Sequence, residues 1–304
     1  MKAFLLILLY FFLVSCNKTE GEFNPETIDQ NIEPETMDQN IEPNKIIVFD
    51  SKFSGLVDLP MDEGGEHKAH PLTSESNSGL GFYAYTPGGY YDNEKNYPLI
   101  LFLHGSGQSG TREFPQLLNK VLEHGPPKLI ENNNWKPTYP SLVVSPQSEG
   151  DWTPESVHHF IEYLIDTYRV NTKRIYITGL SMGGRGCWFY EGEMGYDSYA
   201  AALVPICGRG QPSYVKNLVN TPIWAFHGAD DTVVKPFTNN GSFQMVNEIN
   251  ANGPIFEAKL TIYPEVGHDS WPRTYDSSGM GTESLEYDPF DMTIYDWMFQ
   301  FRKE

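Results

Sequence analysis

The five residues Gly179-Leu180-Ser181-Met182-Gly183 constrain this chain more than any other stretch. They follow the apolar run Arg174-Ile175-Tyr176-Ile177-Thr178, which reads as a buried strand, and they precede a stretch that can start a helix. A G-x-S-x-G between strand and helix is a sharp turn that lifts a serine above the end of a sheet. The glycines two residues to either side must lack side chains, because a Cβ there would meet the facing strand and helix. The hydroxyl then stands at the positive end of a helix, placed to act as a nucleophile.

Apolar and helix-like runs alternate along the rest of the chain. Strands are predicted at 82–86, 99–103, 141–144, 174–178, 200–206, 222–226 and 257–263. Helices are predicted at 114–122, 155–168, 237–249 and 294–301, and directly after the serine. In 155–168 the apolar Val157, Phe160, Ile161, Leu164 and Ile165 fall on one helical face. This alternation predicts an α/β fold with a mostly parallel sheet covered by helices on both faces. Ligands of such sheets bind at the carboxyl ends of strands.

A serine hydroxyl is a weak nucleophile at neutral pH. It needs a base, which an acid in turn orients. For this motif the acid and then the base follow downstream. The acid falls in His227-Gly228-Ala229-Asp230-Asp231, just past a predicted strand, where Asp230 and Asp231 compete for the role. The base is His268, in Gly267-His268-Asp269-Ser270-Trp271. Among eight histidines it is singled out by its place between the last predicted strand and the last predicted helix. An oxyanion hole takes two backbone N–H donors. Met182 follows the nucleophile directly, and Ser106 lies in His104-Gly105-Ser106-Gly107 after the strand at 99–103, with Gly105 as the other candidate. Gln108 is a candidate for contacting substrate or for holding that loop. The chain is 14% aromatic, and Trp152 and Trp271 lie near the motifs. They either stack on a sugar or aryl acyl group or pack in the core and rim. His67 and His70 have no third ligand nearby and read as loop histidines, while His158 and His159 read as solvent-facing on a helix. The proposed chemistry requires no metal and no cofactor.

The chain opens Met1-Lys2, runs apolar over 3–14 and reaches Leu13-Val14-Ser15-Cys16. A basic start, a short apolar core and a small residue before the cut make a secretory leader; a membrane-spanning helix needs about 20 apolar residues. The ending resembles a bacterial lipobox. That resemblance implies a leader at 1–15, lipid on Cys16 and anchoring to a membrane, taken as the outer membrane, by more than one acyl chain. Residues 25–33 recur as 34–42 with Met37 in place of Ile28. The repeat is acidic and poor in apolar residues, so 16–43 is predicted to be a disordered tether and 44–304 one catalytic domain. A net charge of −19 argues against nucleic acid as a partner, which demands a basic face. After Cys16 only Cys187 and Cys207 remain, both in apolar contexts, and they read as buried free thiols.

Four blocks carry a family resemblance: 97–107, 166–184, 224–231 and 267–271. They resemble the secreted phospholipase/carboxylesterase-like branch of the α/β-hydrolases, near feruloyl and acetyl-xylan esterase domains and esterases labelled predicted peptidases. The resemblance covers 81–301. It implies an α/β-hydrolase fold, Asp231 rather than Asp230 as the acid by the family pattern H-G-x-x-D-x-x-V, and a serine carboxylesterase acting on small esters or acylated polysaccharide outside the cytoplasm. No lid or acyl tunnel is visible, which counts against a lipase. Two alternatives stand beside it. A peptidase of prolyl-oligopeptidase type lacks its gating domain here. A non-catalytic surface-binding lipoprotein has no need of an intact Ser181, Asp231 and His268. Segment 276–288 is longer than the resemblance implies. It follows the base histidine and reads as a solvated loop at the rim of the site, and its carboxylates match no calcium-loop spacing.

Overall fold

The structure is a computed structural model that describes residues 46–304 apart from residue 112. The predicted leader, the lipidated Cys16 and the tether lie outside the described residues. Strand β1 (Ile47–Phe49) opens the described chain. β2 (Glu66–His70), β3 (Gly81–Thr86), β4 (Tyr97–Leu103), β5 (Leu142–Gln147), β6 (Val170–Leu180), β7 (Ala200–Ile206), β8 (Trp224–Gly228) and β9 (Lys259–Tyr263) follow, and β10 (Phe301–Lys303) closes it. Eight of these form one sheet in the order β2-β3-β5-β4-β6-β7-β8-β9. From β5 to β9 all neighbours run parallel, and β2 and β3 add an antiparallel edge.

Every residue of β4 is buried, which explains its unbroken apolar run: a central parallel strand is covered on both faces. Successive side chains point to opposite faces. Leu99, Leu101 and Leu103 therefore pack with Phe160, Ile161 and Leu164 of α2 (Pro154–Thr167), Trp188 of α3 (Met182–Met194) and Met245 of α5 (Ser242–Ala251). Ile100 and Phe102 face the other way, toward Ile130 of α1 (Gly125–Glu131), Tyr275 of α6 (Trp271–Tyr275) and Met298 of α7 (Ile294–Phe299). The start of α2 is set locally. The Thr153 hydroxyl accepts the Ser156 N–H at 3.2 Å, and Pro154 occupies the first turn, where no intrahelical donor is lost. At the far end of the sheet the buried Arg174 donates to Asp50 Oδ2 at 2.5 Å and to the Phe299 carbonyl at 2.8 Å, tying the first described residues to the last helix.

Several expectations need correction. The helix expected at 114–122 is present as a 3-10 helix over Pro115–Glu123. His67 and His70 lie on β2, not in a loop; the His70 ring stacks on Phe82 at 4.5 Å and the His67 ring lies 5.0 Å from that of Tyr83. His159 faces solvent as expected, but His158 is half-buried with its ring 5.0 Å from that of Tyr199. Segment 276–288 covers a sheet edge. The Ser284 and Asp288 N–H groups donate to Ile262 and Leu260 carbonyls at 2.8 and 2.9 Å, and Asp288 Oδ2 accepts the Leu260 N–H at 2.8 Å. Those bonds occupy the open side of β9, which would otherwise present unpaired backbone groups. Cys187 and Cys207 are buried and free, as read from the sequence.

Candidate active site

The turn between β6 and α3 is held in a conformation that few side chains adopt. Ser181 has φ 52° and ψ −111°, a region that persists only where the surroundings impose it. Its N–H donates to the Ile206 carbonyl and its carbonyl accepts the Arg185 N–H, both at 2.9 Å. The flanking glycines have the steric role expected of them. A Cβ on Gly183 would stand 1.9 Å from the Leu103 carbonyl oxygen, and one on Gly179 would stand 2.6 Å from the Gly183 backbone. Helix and strand could not approach this closely with any side chain between them.

His268 and Asp231 arrive from the loops after β9 and β8. His268 Nε2 lies 2.8 Å from Ser181 Oγ, and His268 Nδ1 lies 2.7 Å from Asp231 Oδ2. Asp231 Oδ1 accepts the N–H groups of Val233 and Val234 at 2.8 and 2.9 Å. Burial works to raise the Asp231 carboxyl. Hydrogen bonds from His227, His268 and the Val234 N–H outweigh it, and the group is lowered to about 2. With Asp231 ionised, the His268 proton sits on Nδ1, so the Nε2 lone pair faces the serine hydroxyl. Asp230 is exposed; its N–H donates to the Val266 carbonyl at 2.9 Å and ties the Asp231 loop to the His268 loop.

Met182 begins α3 and Ser106 begins a 3-10 turn over Ser106–Gln108. The N–H groups at the start of a helix have no intrahelical acceptor. Among the described residues no hydrogen bond engages the N–H of either residue. Both residues, with Ser181, line a cleft of about 420 Å³.

The loop carrying Ser106 is braced from beneath by His104, whose structural part the sequence reading missed. His104 is fully buried. Its Nδ1–H donates to the Gly105 carbonyl at 2.7 Å and its Nε2 accepts the Ser148 N–H at 2.9 Å. Burial lowers its pKa to about 4 against the opposing Gly105 bond, so the ring stays neutral and keeps this tautomer. His227 braces the acid loop in the same way. Its Nε2 lies 2.7 Å from the Val234 carbonyl and 3.1 Å from Asp231 Oδ2, and its Nδ1 lies 2.8 Å from Ser242 Oγ. The signal for both was a His-Gly pair at the carboxyl end of a predicted strand, at His104-Gly105 and again at His227-Gly228.

Three residues considered for substrate contact lie elsewhere. Trp152 is buried, and its indole N–H donates to the His104 carbonyl at 3.0 Å; it supports the loop from the core. Gln108 is also buried. Its side-chain amide donates to Glu123 Oε2 at 2.8 Å, and its carbonyl accepts from Gln147 Nε2 at 2.8 Å, so it holds the loop. Trp271 is half-buried, with its ring edge-on to His268 at 5.4 Å and to His124 at 5.5 Å. It flanks the base and does not line the cleft over Ser181. Cys207, His227 and Asp231 bring ligand atoms within 4.8 Å of one another. All three are already engaged: Cys207 Sγ with Ser270 Oγ at 2.7 Å, His227 Nε2 with a carbonyl, and Asp231 with four hydrogen bonds. A cation would have to displace the His227 proton from between two oxygens, so the set does not fit a metal.

No family model matches the chain. A bifunctional acetylxylan esterase/xylanase of Neocallimastix patriciarum is 26% identical over 172 residues, which are 53% of this chain and 22% of that protein. The solved structure of a thermostable esterase aligns with a TM-score of 0.57 and 26% identity, over 80% of this chain and 64% of the other. The chain therefore spans about a fifth and about two thirds of the lengths of these two relatives. A feruloyl esterase module from Clostridium thermocellum aligns with a TM-score of 0.52 and 16% identity, over 80% of this chain and 90% of the module. At that identity the likeness is one of fold, and the fold is the one expected from the four sequence blocks.

Proposed function

We propose that this chain, an α/β-hydrolase by fold, is a serine-dependent carboxylic-ester hydrolase that removes acetyl or feruloyl groups from glycans or cleaves small esters. One observation carries the reading. Ser181 Oγ, His268 and the ionised Asp231 form one hydrogen-bonded line of 2.8 and 2.7 Å at a turn flanked by two unengaged N–H donors. In this mechanism Ser181 Oγ attacks the ester carbonyl as its proton passes to His268 Nε2. Asp231 stabilises the imidazolium through Nδ1–H, and the Met182 and Ser106 N–H groups receive the oxyanion. The tetrahedral intermediate then collapses, His268 gives its proton to the leaving alcohol, and the acyl group stays on Ser181. Water activated by His268 repeats the sequence and frees the acid. The acetylxylan esterase and feruloyl esterase relatives support the choice of acyl groups.

The test is a panel of methyl ferulate, acetylated xylan, 4-nitrophenyl acetate and a proline anilide, each with the full chain and with Ser181→Ala. The expected result is Ser181-dependent turnover of esters, with the preferred acyl group fixing the substrate. Cleavage of the anilide alone would move the chain to the peptidase class. The same reading puts the activity outside the cytoplasm on a membrane-anchored chain, on the strength of the leader ending at Cys16. Incorporation of a labelled fatty acid that survives in Cys16→Ser would remove that part.

A further inference from the structure

The chain is acidic throughout, with 40 acidic residues against 21 lysines and arginines. The cleft over Ser181 breaks that pattern. Arg185, Arg209 and Lys235 line it, against one carboxylate, Asp151. The three cations come from three segments, which makes their convergence a property of the site and not of one basic run. Arg185 lies one turn along α3 from the nucleophile, its N–H donating to the Ser181 carbonyl at 2.9 Å. Its guanidinium lies 3.9 Å over the Phe189 ring and 3.5 Å from the exposed Asp151, and its buried Nε has no acceptor. Arg209 follows Gly208, which abuts the first turn of the same helix; a Cβ on Gly208 would sit 2.2 Å from Gly184 C. Lys235 comes from the loop that carries Asp231. Among the described residues no hydrogen bond, ion pair or ring contact engages the side chain of Arg209 or of Lys235.

We propose that this cleft recognises an ester whose substrate also carries a carboxylate, as an acylated glycan with uronic-acid units does. The inference rests on the ester-hydrolase reading of Ser181. A planar guanidinium matches a carboxylate in two parallel hydrogen bonds, and Lys235 adds a point charge. In a molecule of overall negative charge, only a cleft with its own positive lining draws such a substrate toward the nucleophile. The carboxylate can lie on either side of the ester bond, and paired substrates separate the two cases.

The experiment uses the full chain and two pairs of esters. In 4-acetoxybenzoate against 4-acetoxybenzamide the charge sits on the released alcohol. In mono-4-nitrophenyl adipate against 4-nitrophenyl hexanoate it sits on the acyl group. The quantity read is the ratio of kcat/KM, charged over neutral. One of the two ratios is expected to fall about tenfold in the double variant Arg209→Gln, Lys235→Gln. It is also expected to fall in the wild type as salt rises from about 0.02 M to about 0.5 M, where screening shortens to a few ångströms. Double charge reversal to Glu should push the same ratio below that of the Gln variant. Ser181-dependent turnover with both ratios indifferent to salt and to the variants overturns this inference alone. Absence of Ser181-dependent turnover on all four esters overturns the ester-hydrolase reading and this inference with it.

Discussion

Ser181→Ala is expected to lower kcat/KM by about 10⁶-fold on whichever ester the wild type prefers, with the folded state retained. The size follows from what is lost. Among the described residues no other hydroxyl is hydrogen-bonded to His268 Nε2, which faces Ser181 Oγ at 2.8 Å. Without the oxygen, the reaction must proceed by direct attack of water. The retained fold follows from what is kept. Alanine carries the same Cβ as serine, so the positive φ of 52° is no more strained than before. The Ser181 backbone bonds to Ile206 and Arg185 do not involve the hydroxyl. The Met182 and Ser106 donors stay in place, so a residual rate of about 10³–10⁴ over water is expected. A burst of 4-nitrophenol in the wild type and none in the variant checks the acyl-serine directly. Activity within tenfold of wild type would take the chemistry away from Ser181.

The local geometry of the site was legible because its causes are local. A glycine two residues to each side of Ser181 is required by the 1.9 and 2.6 Å approaches that a Cβ would suffer, and such a requirement is written into the sequence. The Asp230-Asp231 pair and His268 could be named because each follows an apolar strand, and strand ends on one side of a parallel sheet converge. Position does not separate the two aspartates, and Asp231 is preferred on the family pattern H-G-x-x-D-x-x-V. Longer-range dependences were not legible. The three-residue strands β1 and β10 form because buried Arg174 draws both ends of the described chain together, and nothing within either segment announces that partner. Segment 276–288 looked like a rim loop because it follows His268; it bonds instead to the backbone edge of β9, with polar side chains such as the exposed Thr282 and Glu286 in solvent and Met280 and Tyr287 packed on the core. Trp152 lies close in sequence to a strand end, but its ring turns inward to hold the His104 carbonyl. Sequence position told which residues lie near the carboxyl edge of the sheet, and only packing told which of them face the cleft.

The largest effect after that of the nucleophile is expected from Asp231→Asn, about 10⁴-fold in kcat, and it tests the tautomer more than the charge. Asp231 Oδ1 accepts two backbone N–H groups, from Val233 and Val234. An asparagine keeps those bonds only by placing its carbonyl oxygen there. Its amide nitrogen must then occupy the Oδ2 position, 2.7 Å from His268 Nδ1. An NH₂ group donates, so Nδ1 has to accept, and the imidazole proton moves to Nε2. The nitrogen facing Ser181 then has a proton where the reaction needs a lone pair. His227 loses its 3.1 Å bond to the Oδ2 position but keeps the Val234 carbonyl at 2.7 Å, which continues to hold the loop. Stability reports the charge separately. The Asp231 carboxyl is lowered to about 2 in the fold against an ordinary value near 3.9 when unfolded. The unfolded chain therefore binds the proton first as pH falls. The stabilisation is fully present above about pH 4 and is lost as pH drops through about 2, on the order of 2–3 kcal/mol in all. Denaturant unfolding of wild type between pH 5 and pH 2 should show that decline, and Asp231→Asn should lack its share of it. A variant that keeps near-wild-type kcat while losing that share would show that Asp231 braces the loop without setting the His268 tautomer.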